Sequence, residues 1–198
     1  MKNSNRIYEA LCNRAEKICH KSMIVEIIKE YKEKFQRAIN PGDVLKYLSR
    51  HSYIKRIFQS YYYINSIDER KREYCMYEDK ELLFVVLNKL GIQWYVGLGS
   101  AYHLAGASWQ VPRVLHIINN KFSGRRNVRS LRVIFYKMKS SLFVGTKQAK
   151  TKTGVRYFYS SPGKTALDEV YLRKARQLKH DRETKKYVRY YPQWVGKK

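Results

Sequence analysis

The sequence predicts an α+β protein built from two folded modules and a tail. Apolar residues recur at helical spacing from Ile7 to Leu48, and two short β-rich runs follow at once. Beyond Glu81, helical and strand-like runs alternate through a stretch that holds no carboxylate. At 44% hydrophobic and 14% aromatic the chain has enough apolar material for packed cores. The modules are residues 1–74 and 75–172, and residues 173–198 form a basic, aromatic C-terminal helix or tail.

In the first module, Ile7, Leu11, Ala15 and Ile18 stand near every fourth position and predict one amphipathic helix. A second begins near Ser22 and turns Ile24, Ile27, Ile28, Tyr31 and Phe35 to one side. Asn40-Pro41-Gly42-Asp43 has the form of a third helix start: Asn caps, Pro fits the first turn, and Asp favours the positive end of the dipole. Val44, Tyr47 and Leu48 then point inward, and Lys46, Ser49 and Arg50 outward. The β-rich runs Tyr53–Phe58 and Tyr61–Ile64, joined by Gln59-Ser60, predict a hairpin.

Three helices and a hairpin make the order of a winged helix-turn-helix, in which the third helix enters the DNA major groove and the wing follows the backbone. This assigns Lys46, Ser49 and Arg50 to the groove and Lys55, Arg56 and Tyr61 to the wing. The bland alternative is a small helical module with a solvated face.

The polar run Asp68–Tyr74 leads into the second module, where Leu82, Leu83, Val86, Leu87 and Leu90 predict a helix stopped by Gly91. A strand at Trp94–Val96 and a short helix through the small residues 97–106 follow. Strands are expected at Val114–Ile118, Leu131–Met138, Leu142–Thr146 and Gly154–Tyr159, with a last helix opened by Ser161-Pro162. The order is α-β-α-β-β-β-β-α.

Charge bears most directly on function. Forty-one Lys and Arg against sixteen Asp and Glu leave +25, a surplus normally held against a polyanion. Twelve of the sixteen carboxylates lie at or before Glu81, and residues 82–167 carry fourteen Lys and Arg without one acid. Such a stretch is expected to turn its cations to water or to a partner's phosphates. It also lacks the carboxylates with which nucleases and nucleotidyltransferases hold Mg²⁺ and move protons, so the expectation is a binding protein and not an enzyme. Two blocks stand out as phosphate ligands. One is Lys121–Arg132 on an inter-strand loop, with Lys121, Arg125, Arg126 and Arg129; the other is a hairpin with Lys147, Lys150, Lys152 and Arg156.

Other motifs fail. Gly163-Lys164-Thr165 has Phe158 where a phosphate loop needs glycine, and Gly97-Leu-Gly99 has Tyr102 where a dinucleotide fingerprint needs one. Cys12, Cys19 and Cys75 are odd in number and widely spaced, which argues for a reducing compartment, with Cys12 and Cys19 as packing residues. His103 and His116 have no acidic neighbour to orient a ring. No metal or cofactor is expected. No apolar run is long enough to cross a membrane, so the chain is expected to be soluble and cytoplasmic.

The order of the first module, with Trp94-Tyr-Val-Gly-Leu-Gly-Ser-Ala-Tyr-His-Leu-Ala-Gly106 and Gln110-Val-Pro-Arg-Val-Leu-His-Ile-Ile118, resembles the AbiEi antitoxin family. Arg132–Tyr136 and Ser161-Pro-Gly-Lys-Thr-Ala-Leu-Asp168 fit the same pattern, and the resemblance spans roughly residues 5–175. It implies a transcriptional regulator of a type IV toxin–antitoxin operon that binds inverted repeats upstream of its own genes and represses them. It further implies a nucleotidyltransferase-like toxin countered without a stable complex. Gln59-Ser60 departs from the basic residue and glycine usual in the family's wing turn. Two rival readings are an RNA-binding protein that stacks bases on tyrosines, and a nuclease relative that draws its acids from the first 81 residues.

Overall fold

The computed structural model describes residues 2–34 and 40–172. The chain is a mixed α+β protein that divides into two compact units between Val86 and Leu87, beyond the polar run at Asp68–Tyr74. Phe35 and the tail from Arg173 lie outside the described residues.

The first unit runs α1 (Lys2–Arg14), β1 (Ile18–His20), α2 (Lys21–Lys34), α3 (Pro41–Arg50), β2 (Ile54–Arg56), β3 (Tyr61–Ile64) and α4 (Ile67–Lys71). The strands form one antiparallel sheet in the order β1-β3-β2. Ile18, expected on the first helix, is instead a strand residue opposite Tyr63. A three-residue strand is too short to show periodicity, so its apolar pair joined the preceding helical stripe. The core gathers Ile7 and Leu11 of α1, Ile24, Ile27 and Ile28 of α2, Leu45 and Leu48 of α3, and Ile54 and Ile64 of the sheet. Each such side chain contributes about 1.5–3 kcal/mol on full burial. Cys19 packs there, but Cys12 is exposed and is no packing residue.

Local chemistry sets the boundaries. The Asn40 side chain accepts from Gly42 N at 2.9 Å, and Pro41 occupies the first turn of α3. Gln59 and Ser60, at φ 47° and 65°, turn the hairpin in the left-handed region, and Tyr61 N donates to Phe58 O at 2.9 Å. Beneath the sheet, Ser66 opens α4 with a capping box whose partner, Glu69, is buried. Glu69 accepts from Lys17 Nζ (2.5 Å), Ser66 N (2.7 Å), Met76 N (3.2 Å) and the Tyr63 hydroxyl. Burial opposes the charge, but these four donors outweigh it and draw the carboxyl down to about 2.

The division between the units falls within α5 (Asp79–Lys89), which is stopped before Gly91 (φ +61°), whose N–H donates to Asn88 O. There follow β4 (Trp94–Val96), α6 (Leu98–Leu104), β5 (Leu115–Asn119), β6 (Gly124–Val128), β7 (Leu131–Lys137), β8 (Thr146–Lys150), β9 (Arg156–Ser160) and α7 (Pro162–Tyr171). They form one six-stranded mixed sheet in the order β6-β7-β5-β4-β9-β8. Gly97 sits where a Cβ would come within 2.5 Å of Ile118 Cδ1, so its glycine serves close packing.

Two expectations fail here, for one reason. The block Lys121–Arg132 is not a loop: Gly124–Val128 is a strand paired with β7. Leu142–Thr146 is not a strand: Ser140–Leu142 is a 3-10 turn, Gly145 has φ +68°, and the strand starts at Thr146. Both missed strands are sheet edges, Gly-Arg-Arg-Asn-Val and Thr-Lys-Gln-Ala-Lys, with almost no apolar alternation to reveal them. Five strands therefore follow α6 where four were expected.

One cation of the acid-free stretch turns neither to water nor to a partner's phosphates, against expectation. Lys164, within it, pairs across one turn of α7 with Asp168, just beyond it, and both side chains are wholly buried. Lys164 Nζ also donates to the Tyr95 hydroxyl (2.7 Å), which donates to Asp168 Oδ2 (2.9 Å). Burial pushes the Lys164 ammonium down, and Asp168 pulls it back up. The residue that suggested a phosphate loop is thus locked in a core.

Candidate nucleic-acid interface

On α3, the exposed residues are Gly42, Asp43, Lys46, Ser49 and Arg50. At 3.6 residues per turn they occupy an arc about 120° wide. Leu45 and Leu48 are buried on the opposite side, with Val44 and Tyr47 half-buried beside them. Lys46, Ser49 and Arg50 therefore share one stripe as expected, and Leu45 is an inward residue beyond those expected. Lys46 also lies 3.8 Å from Asp43, but both side chains are largely exposed and such a pair holds weakly.

The hairpin divides its three candidates. Lys55 stands opposite Tyr63 and Arg56 opposite Tyr62, so adjacent cations point to opposite faces. Tyr61 shares the Lys55 face and meets the His20 ring edge-on at 5.2 Å. Arg56 is exposed and Lys55 half-buried. Only one cation of the hairpin is thus fully presented to water.

In the six-stranded sheet the candidates lie on opposite edges. Arg125 and Arg126 are on β6, Lys121 precedes it, and Arg129 (φ 57°) lies in the β6–β7 turn. Lys147 and Lys150 are on β8, and Lys152 is in the turn that follows. Five strand spacings separate β6 from β8, roughly 24 Å. The faces differ too. Arg125 pairs with Ile134 and Arg126 with Val133, so Arg125 is on the face that packs α7 and Arg126 on the other. The block therefore does not present one continuous cationic face.

Register reveals a cluster that the block concealed. Arg125, Asn127, Arg132, Ile134, Tyr136 and His116 share the α7 face at the β6 end of the sheet. Arg125, Asn127 and Arg132 are exposed there, and the His116 and Tyr136 rings lie 6.0 Å apart. Burial pushes the Tyr136 hydroxyl up, partly opposed by Arg125. Arg132 closes the expected basic block but was not singled out in it as a ligand. Only the strand pairing puts it beside Arg125 and Asn127.

An edge strand also carries charge for a second reason, since Lys and Arg there discourage pairing with another chain. Arg125, Arg126, Lys147 and Lys150 fill that role by position alone. The α3 stripe has no such explanation. Among the described residues no helix is long and apolar enough to cross a membrane.

No family model matches the chain, and no curated protein matches it.

Proposed function

We propose that this protein is a DNA-binding transcriptional regulator whose first unit is a winged helix-turn-helix. The order α1-β1-α2-α3-β2-β3 with a β1-β3-β2 sheet supports this reading, three helices being followed by a hairpin. The observation that carries the reading is the α3 stripe. Lys46, Ser49 and Arg50 stand together on a helix whose opposite side is anchored in the core. A helix fits the major groove, Lys and Arg reach guanine edges there, and Ser accepts or donates to either base. Arg56 on the hairpin and the cations of the second unit add phosphate contacts, which supply affinity without sequence preference.

The resemblance to AbiEi antitoxins makes the natural site an inverted repeat upstream of the chain's own operon, repressed in the cytoplasm. A nucleotidyltransferase-like toxin, antagonised without a stable complex, belongs to the same reading. Catalysis is not part of it; residues 82–167 hold no carboxylate that could bind Mg²⁺.

The test is a competition titration with duplex from the upstream region of the gene, a scrambled duplex and a structured RNA. The upstream duplex is expected to resist competition by scrambled DNA, and Lys46→Ala with Arg50→Ala to abolish that preference. Equal affinity for both duplexes, or stronger binding to RNA, contradicts the proposal.

A further inference from the structure

We propose that the segment between α6 and β5, residues 105–114, forms with the adjoining sheet end a subsite for unpaired nucleotides, Trp109 being the stacking platform and Arg113 and Arg132 the phosphate ligands. Trp109 is 94% exposed, and Val111 (69%) and Leu104 (39%) are exposed near it in sequence. An indole left this open to water is unusual, since large aromatic side chains are highly buried on average. Trp94 shows the ordinary arrangement: 5% exposed, with its indole N–H donating to Asn88 Oδ1 at 3.0 Å.

Strand pairing puts cations at the same end of the sheet. Leu115, the first residue of β5, pairs in parallel with Val133, and Arg132 pairs with Asn127 at the end of β6. The segment carrying Trp109 and Arg113 therefore enters the sheet where Arg132, Asn127 and the Arg129 turn are found. Arg113, Asn127 and Arg132 are exposed, and no acid in residues 82–167 competes for the guanidinium groups.

A flat, exposed apolar ring on a segment that enters the sheet among exposed guanidinium groups matches one ligand chemistry, a base with its neighbouring phosphates. In a duplex the base faces are stacked on their neighbours and unavailable. In an unpaired strand they are open. An acidic protein surface would satisfy the arginines and leave the indole without a flat partner. The inference shares with the proposed function only the attraction to polyanions. It requires single strands, whereas α3 requires duplex.

The experiment uses full-length protein carrying Trp194→Phe, so that Trp94 and Trp109 are the remaining indoles. Emission is followed on titration with oligothymidylate, oligouridylate and a blunt hairpin duplex at low salt. Both single strands are expected to quench the emission. Trp109→Ala is expected to remove the quench and weaken single-strand binding about tenfold, with duplex affinity unchanged and Trp109→Phe restoring most of the loss. Quenching by oligouridylate alone would assign the subsite to RNA, and by both to unpaired strands in general. The proposal is overturned if neither strand quenches, if the free protein's emission is already blue-shifted and inert, or if Trp109→Ala weakens strand and duplex alike. Duplex binding by the unsubstituted protein is read in the same series, so a failure of the α3 reading is seen separately.

Discussion

The α3 stripe and the edges of the six-stranded sheet carry the same residue types to different ends. On α3, core packing of Leu45 and Leu48 fixes the helix, and Lys46, Ser49 and Arg50 emerge on one side. On the sheet, Arg125 and Arg126 leave opposite faces of one edge, and Lys147 and Lys150 lie across the sheet from them. A stripe that moves as one body suits the reading of base edges. Cations spread over two edges suit diffuse attraction to phosphate and resistance to edge pairing. Like residue types are thus presented differently, and the scaffold beneath decides how.

The largest effects are expected where those scaffolds are broken. Asp168→Asn leaves Lys164 buried without its counter-charge and should cost about 3–5 kcal/mol in urea unfolding. Lys164→Met with Asp168→Leu should recover most of this, because a well-packed apolar pair often replaces a buried ion pair without loss. Recovery would show that the pair is structural; a stable Asp168→Asn would show that the second core tolerates an unpaired ammonium.

Next comes the support beneath the hairpin. Glu69→Gln removes a carboxylate with four donors and should cost about 2–3 kcal/mol. The sign in pH follows from the direction of the shift. The folded carboxyl lies below its usual value of 4.5, so its contribution is complete above that value and fades as pH falls toward about 2. Acid unfolding of the parent should therefore steepen over this window, and that of Glu69→Gln should not.

The comparison itself is sharpened by binding. Lys46→Ala or Arg50→Ala should reduce discrimination between upstream and scrambled duplex about tenfold or more, in line with the ~1–3 kcal/mol of a good base contact. Arg125→Ala or Arg126→Ala should weaken both duplexes alike and lower the salt slope by about 1 each. If Arg125→Ala with Arg126→Ala instead causes aggregation with unchanged binding, the β6 arginines guard the edge.

The smallest change is at the cap. Asn40→Ala should cost about 1 kcal/mol by leaving Gly42 N without its acceptor, measured as a small drop in thermal midpoint.

Much of this was legible in the residues, for physical reasons that also explain the misses. The start of α3 could be read because Asn40-Pro41 is local chemistry, and α2 because Ile24, Ile27, Ile28 and Tyr31 keep helical spacing. β1 was lost because three residues carry no period, and β6 and β8 because polar edges lack an apolar face. The candidate site followed the same division. The α3 stripe is a short-range pattern, visible in sequence. The splitting of Arg125 from Arg126, the kinship of Arg125 with Arg132, and the pairing of Lys164 with Tyr95 all depend on strand register or long-range packing.

The salt dependence of duplex binding tests the central claim most directly. If this chain neutralises about eight phosphates, the logarithm of its affinity should fall with the logarithm of salt at a slope of about −7. Tight binding at low ionic strength that decays along such a line is the predicted result. A flat line, or no binding to DNA at low ionic strength, would contradict it.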